Sequence, residues 1–234
     1  MNNFIALLIT FALALLWLRI NDFAAHRGWV SSDLSRKLIH IGTGPLFVAC
    51  WLLFRDTSSA RWLAALVPFA ITTQFLLVGT GVIRDEAAVK AMSRTGDRRE
   101  ILRGPLFYGI VFVVLTLVYW YDSPIGIVAV MLMCGGDGLA DIVGRRYGKT
   151  RLPWNKGKSI VGSLGMLVGG FLTALIVLAL YVAVGELSQP FSSYLLPLAV
   201  IAFAGTIVES FPLKDIDNIT VTLTAVALGH IFFN

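Results

Sequence analysis

The chain has 234 residues, 57% of them hydrophobic and only 14% charged, with a mean hydropathy of +0.79. A soluble domain carries about 25% charged residues, so an ordinary soluble fold is excluded. The apolar runs are too long and continuous for an outer-membrane barrel. The net charge of +5 comes without aromatic-interleaved basic stripes, which excludes a nucleic-acid binder.

The fold class that follows is an all-α, polytopic transmembrane bundle, one domain over residues 1–234. Seven or eight spans are expected. Counted as eight, they lie near 3–20, 38–54, 62–79, 105–121, 124–136, 161–184, 193–208 and 219–233. A bilayer core takes about 20 apolar residues per helix, so the fifth and eighth are short, and the fifth is expected to run on into the polar stretch behind it. The first run has no basic segment ahead of it, and its cations, Arg19 and Arg27, follow it. That pattern reads as a retained helix, not a cleaved signal. Cys50 and Cys134 lie in apolar runs, and the three histidines are scattered without metal-type spacing.

Loop charge sets the orientation. Counting Arg19, the segments after spans one, three, five and seven hold 17 of the 19 Lys and Arg residues. The positive-inside rule makes that side cytoplasmic and puts the N-terminus outside. Eleven of the 14 acidic residues fall on the same side. Orientation needs only cations, so the acids point to a polar site at that surface.

Four polar stretches supply it. SRKLIHIGTG (35–44) opens span two, with Lys37 and His40 on one face beside Arg36. SRTGDRREILRGPLFYG (93–109) enters span four, where Arg98, Arg99, Glu100 and Arg103 are either a solvated charge run or a wall of the site. GGDGLADIVGRRYGKTRLPWNKGKSIVG (135–162) is the richest. Asp137 and Asp141 are four apart, so a helix projects both from one stripe. Two carboxylates suit Mg²⁺, which takes oxygen ligands and keeps water and substrate phosphates as the others. Arg145, Arg146, Lys149, Arg151, Lys156 and Lys158 follow, and guanidiniums and ammoniums are what phosphate oxygens bind. Ser159, Gly162 and Ser163 then start a helix, whose free N–H groups attract anions. The order suits a Mg²⁺-bound nucleoside triphosphate. A plain Asp141–Arg145 surface pair with orientation-setting cations would also account for it. GRRYGKT (144–150) is no P-loop, because it has three residues between its glycines instead of four and no strand before it. Last, VESFPLKDIDNITV (208–221) carries Glu209, Asp215, Asp217 and Asn218 beside a single cation, Lys214. These acids look like a metal ligand or a general base; an ordinary acidic turn is the alternative.

The third stretch, with RKLIHI before it and VES-P and DN-T-V after it, resembles the CTP-dependent polyprenol kinase superfamily, most closely its phytol and farnesol kinase branch. The resemblance covers nearly the whole chain in order. The matching residues are Arg36, Lys37 and His40; Asp137, Gly138, Asp141, Gly144 and Arg145; Pro153, Asn155, Lys158, Ser159, Gly162 and Ser163; and Glu209, Asp217 and Asn218. It implies an integral membrane kinase, in a prokaryotic inner membrane or an organelle membrane, moving the γ-phosphoryl group of CTP or UTP to a long-chain isoprenoid alcohol from the bilayer. On that reading Asp137 and Asp141 hold Mg²⁺. Arg145, Lys158 and Lys156 neutralise phosphates, with Arg36, Lys37, His40, Gly138, Asn155, Ser159, Gly162, Ser163 and Asn218 completing the nucleotide site. Glu209 or Asp217 orients or deprotonates the alcohol. The rival classes are a CTP-dependent diacylglycerol kinase, a phosphatidate cytidylyltransferase and a transporter; polar residues gathered at one face, away from the midplane, argue against the last.

Overall fold

A computed structural model describes residues 1–93, 95–213 and 216–233. Among them the chain is helical and contains no β-strand beyond one isolated bridge between Arg151 and Ser159. The helices are α1 (Asn3–His26), α2 (Ser32–Trp51), α3 (Ala60–Thr80), α4 (Glu86–Met92), α5 (Gly104–Val118), α6 (Pro124–Met131), α7 (Asp137–Tyr147), α8 (Ile160–Ala183), α9 (Phe191–Ser210) and α10 (Asp217–Phe232). A 3₁₀ turn, Arg98–Leu102, leads into α5.

Local sequence sets the ends. Asn2, Ser31 and Ser159 cap α1, α2 and α8 by accepting the amide hydrogens of Phe4, Leu34 and Gly162. Proline sits in the first turn of α5 and of α6, where its missing N–H costs nothing. α3 stops at Gly81, whose φ of +84° suits glycine.

All eight expected apolar spans are helical. Six helical segments are long and apolar enough to cross a membrane: Asn3–His26, Ala60–Thr80, Arg98–Val118, Pro124–Tyr147, Ile160–Ala183 and Phe191–Ser210. α2 falls short because Asp33, Arg36 and Lys37 occupy its first turns, and α10 because it has 16 residues.

α8 shows how the bundle is turned inside out. Ile160, Leu164, Val168, Leu172, Ile176 and Leu180 recur every fourth residue and are all exposed. Its opposite face is glycine. A Cβ at Gly169 would lie 2.5 Å from the Gly135 carbonyl, and one at Gly162 would lie 3.3 Å from Gly144 Cα. Small residues facing inward and large apolar ones outward is the membrane-helix pattern.

The centre is one long helical run, α6 to α7, buried throughout from Ile125 to Gly136. Between the two lies a π-helical turn, Leu132–Gly136. Neighbouring helices supply donors to carbonyls here. Thr173 Oγ1 donates to Met131 O at 3.2 Å, and His40 Nε2 meets Met133 O at 3.2 Å. α2, α8 and α10 pack around this axis, and α3 packs against α5 and α1. One end of the bundle carries Asp56, Asp122 and Glu186, in the connections that follow α2, α5 and α8.

Candidate active site

The other end of the bundle opens into a cavity of about 1240 Å³ that all four polar stretches line. Of the 16 residues picked from the sequence, 14 line it: Arg36, Lys37, His40, Asp137, Asp141, Arg145, Asn155, Lys158, Ser159, Gly162, Ser163, Glu209, Asp217 and Asn218. Two do not. Gly138 is buried against α2, where a Cβ would lie 2.3 Å from Ile41 Cγ1. It lets the helices approach each other and leaves no room for a ligand. Lys156 sits exposed on the turn before α8, outside the lining. Asp215, a further acid of the last stretch, lies outside the described residues, as do Arg94 and Lys214 among the cations.

α7 presents Asp137 and Asp141 to α2. Lys37 Nζ lies 3.2 Å from Asp141 Oδ2 and 3.9 Å from Asp137 Oδ2. Arg145, one turn on, donates from Nε to Asp141 Oδ1 at 2.8 Å and reaches Asp33 at 4.0 Å. The predicted Asp141–Arg145 pair therefore forms, inside the larger cluster. His40 Nε2 is 3.3 Å from Asp137 Oδ2 and 3.2 Å from the Met133 carbonyl. Both neighbours are acceptors, so this nitrogen carries a proton. Tyr108 of α5 holds the same residue from behind, its hydroxyl donating to His40 O at 2.8 Å.

A second cluster comes from the α7–α8 loop and the α9–α10 junction. Lys158 Nζ contacts Glu209 Oε1 at 2.6 Å, the Glu209 carbonyl, and Asp217 Oδ2 at 3.8 Å. Glu209 is buried at the end of α9. The loop is anchored beside it, as Asn155 Nδ2 donates to Ser210 O and Trp154 Nε1 to Ser210 Oγ, both at 3.1 Å. Asp217 stands ahead of the apolar part of α10. Burial, then the negative charge of Asp137, push its carboxyl above the usual range, against the pull of Lys158.

The α8 start differs from expectation. The Gly162 amide already donates to Ser159 Oγ, that of Ser163 to Ser159 O, and that of Ile160 to Thr150 O. Those N–H groups are not free for an anion. The side chain of Ser163 is: its buried Oγ has no hydrogen-bond partner among the described residues.

Two carboxylates beside one cavity fit Mg²⁺ that is shared with a phosphate. Among the described residues no group of three or more His, Cys, Asp or Glu side chains forms a protein-only cage. The position between the two aspartates is already cationic, filled by the Lys37 ammonium.

The residues that line the apolar part of the cavity were not singled out from the sequence. That part lies where α1, α2, α3 and α5 face one another, with Trp17, Phe47, Ile71 and Phe112 among its walls. Tyr108 and Asp33 also went unread, one inside an apolar run and the other as a helix-start acid. A tyrosine within a span was the available signal for Tyr108, because its hydroxyl needs a partner there.

Carboxylates, ammoniums and a guanidinium at the head of an apolar chamber suit a helical phosphotransferase, and sequence comparison supplies the family. Over 217 residues the chain is 44% identical to a probable phytol kinase, chloroplastic, of Triticum aestivum, covering 92% of this chain and 72% of that protein. It is 40% identical over 218 residues to probable phytol kinase 1, chloroplastic, of Glycine max, again covering 92% and 72%. With the farnesol kinase, chloroplastic, of Arabidopsis thaliana, it shares 42% over 209 residues, 88% of this chain and 68% of that one. The chain belongs to the phytol and farnesol kinase branch of the polyprenol kinase superfamily, and is a kinase with an alcohol acceptor. No family model and no solved structure matches it.

Proposed function

We propose that this protein is an integral membrane kinase that transfers the γ-phosphoryl group of CTP to a long-chain isoprenoid alcohol such as phytol, with Mg²⁺, at the cytoplasmic face. One observation carries the reading: a single cavity joins a charged head to an apolar chamber, which suits a substrate with one hydroxyl and a hydrocarbon tail. The exposed apolar stripe of α8 supports placement in a bilayer.

Asp137 and Asp141 would hold the metal, which when bound offsets charge on the triphosphate oxygens. Lys37, which lies against both carboxylates, would pair with a phosphate oxygen beside them. Arg145 and Lys158 neutralise the remaining charge, and Ser163 Oγ gains the partner it lacks. Asp217 is the acceptor base, because it lines the cavity and stands 3.8 Å from Lys158, while Glu209 is occupied in holding Lys158 at 2.6 Å. As the alcohol oxygen bonds to the γ-phosphorus, its proton passes to Asp217, the β–γ bridging bond breaks and CDP leaves. Positioning and charge stabilisation supply most of the rate.

The test uses purified protein in detergent, CTP, UTP or ATP labelled at the γ-position, Mg²⁺, and phytol, geranylgeraniol, farnesol, dolichol or diacylglycerol. Label moving from CTP into an isoprenoid monophosphate is expected. Pyrophosphate release with CMP carried into lipid would instead make the protein a cytidylyltransferase.

A further inference from the structure

The apolar chamber has a floor. Four helices reach it, and their deepest lining residues are Thr10 of α1, Cys50 of α2, Val67 of α3 and Phe112 of α5. Beneath lies a plug of aromatic rings. Trp51, fully buried, sits with its ring 5.4 Å from that of Trp120, and Phe54 lies 6.0 Å from Trp120 on the other side. Phe47 and Phe112 close the corner, 5.6 Å apart.

The depth follows from helix geometry. From His40 at the charged head to Cys50 at the floor, α2 advances about 15 Å at 1.5 Å per residue. From Asp22 to Thr10, α1 spans about 18 Å on the same basis. An extended carbon chain with bonds of about 1.5 Å advances about 1.25 Å per bond, so an isoprene unit, four carbons along its chain, covers about 5 Å. The chamber therefore matches three to four isoprene units.

Resting on the kinase reading above, we propose that this blind chamber is a length ruler, which admits alcohols of about 15 to 20 carbons and rejects longer polyprenols. The scale is marked along α1. Thr10, Ala14, Leu18 and Asp22 recur every fourth residue and all line the cavity. Each step raises the level by about 6 Å, a little over one isoprene unit.

The experiment fills the ruler from the bottom. Thr10→Phe raises the packed floor and Ala14→Phe puts a ring on the half-buried wall above it, and neither removes a ring from the core. Wild type and both variants are given geraniol, farnesol, geranylgeraniol, phytol and dolichol. Two readouts are taken: kcat/KM with CTP, and thermal stabilisation of the protein by each alcohol. The expected result is that wild type discriminates at least tenfold against dolichol. Thr10→Phe loses at least tenfold on the 20-carbon alcohols relative to farnesol, and Ala14→Phe shifts the optimum further, to geraniol. Equal use of dolichol and phytol by wild type, or an unchanged length order in both variants, overturns the ruler and leaves the kinase standing. Stabilisation sorted by length without any phosphorylation upholds the ruler and retires the kinase. No phosphorylation and no stabilisation by any prenyl alcohol overturns both.

Discussion

Replacing Lys158 by methionine tests how the second cluster is held together. Its ammonium lies 2.6 Å from Glu209 Oε1, and the two side chains are 23% and 6% exposed. Methionine keeps most of the volume and removes the charge, which strands the Glu209 carboxylate. Breaking a buried pair from one side costs about 3–5 kcal/mol. Lys158 is about a quarter open to solvent, so the lower end, about 3 kcal/mol, is expected. For a chain of this size that is a fall of about 6–12 °C in the unfolding midpoint. Glu209→Gln should cost less, about 1 kcal/mol, because Lys158 keeps the Glu209 carbonyl and Asp217 at 3.8 Å. A double variant, Lys158→Met with Glu209→Leu, should recover part of the loss, since no stranded carboxylate remains. Tryptophan fluorescence during heating in detergent reads all three. If Lys158→Met melts within 2 °C of wild type by this scale, or falls no further than Glu209→Gln, the asymmetric pairing is wrong.

Asp141→Asn weakens the partners of both Lys37 and Arg145 and should lower transfer from CTP at least about 100-fold, while circular dichroism stays that of the folded bundle. Gly169→Ala puts a Cβ 2.5 Å from the Gly135 carbonyl, a backbone atom that cannot swing away. It should cost about 1–3 kcal/mol in thermal unfolding and weaken activity by pushing α8 off the α6–α7 run. Tyr108→Phe removes the donor to His40 O and should cost about 1 kcal/mol by the same measurement. Nitrogen-15 NMR of labelled histidine should show a proton on His40 Nε2, as its two acceptor neighbours require.

The helices were the legible part, because a run of apolar residues declares itself. α3, α8 and α9 start and stop within about two residues of expectation, and the polar stretch behind α6 does continue as helix. α1 runs on to His26, past the end of its apolar run, because Asn21–His26 holds nothing that breaks a helix. α4 was read only as loop charge, since seven residues give too little pattern to see a period. The charged half of the site was legible because carboxylates and cations are rare in such a chain, so each one stands out. The chamber was not. Ala14, Val67 and Phe112 look like every other apolar residue in a membrane helix, and which of them face a void depends on how α2 stands off from α3. Gly138 lies outside the lining for a related reason: a glycine that admits a neighbouring helix and one that admits a ligand are the same letter.

The π-turn at Leu132–Gly136 has a consequence for register. Such a turn holds one residue more than the α-helix around it needs. Each residue of an α-helix turns the chain by about 100°, so taking one residue out of this turn would swing α7 by about that angle relative to α6. Asp137 and Asp141 would rotate together out of reach of Lys37 and His40, with every residue of the cluster still present. The alignment of acids and cations is thus a matter of phase along one helix, and a single deletion at Cys134 would dismantle the cluster without removing any of its charges.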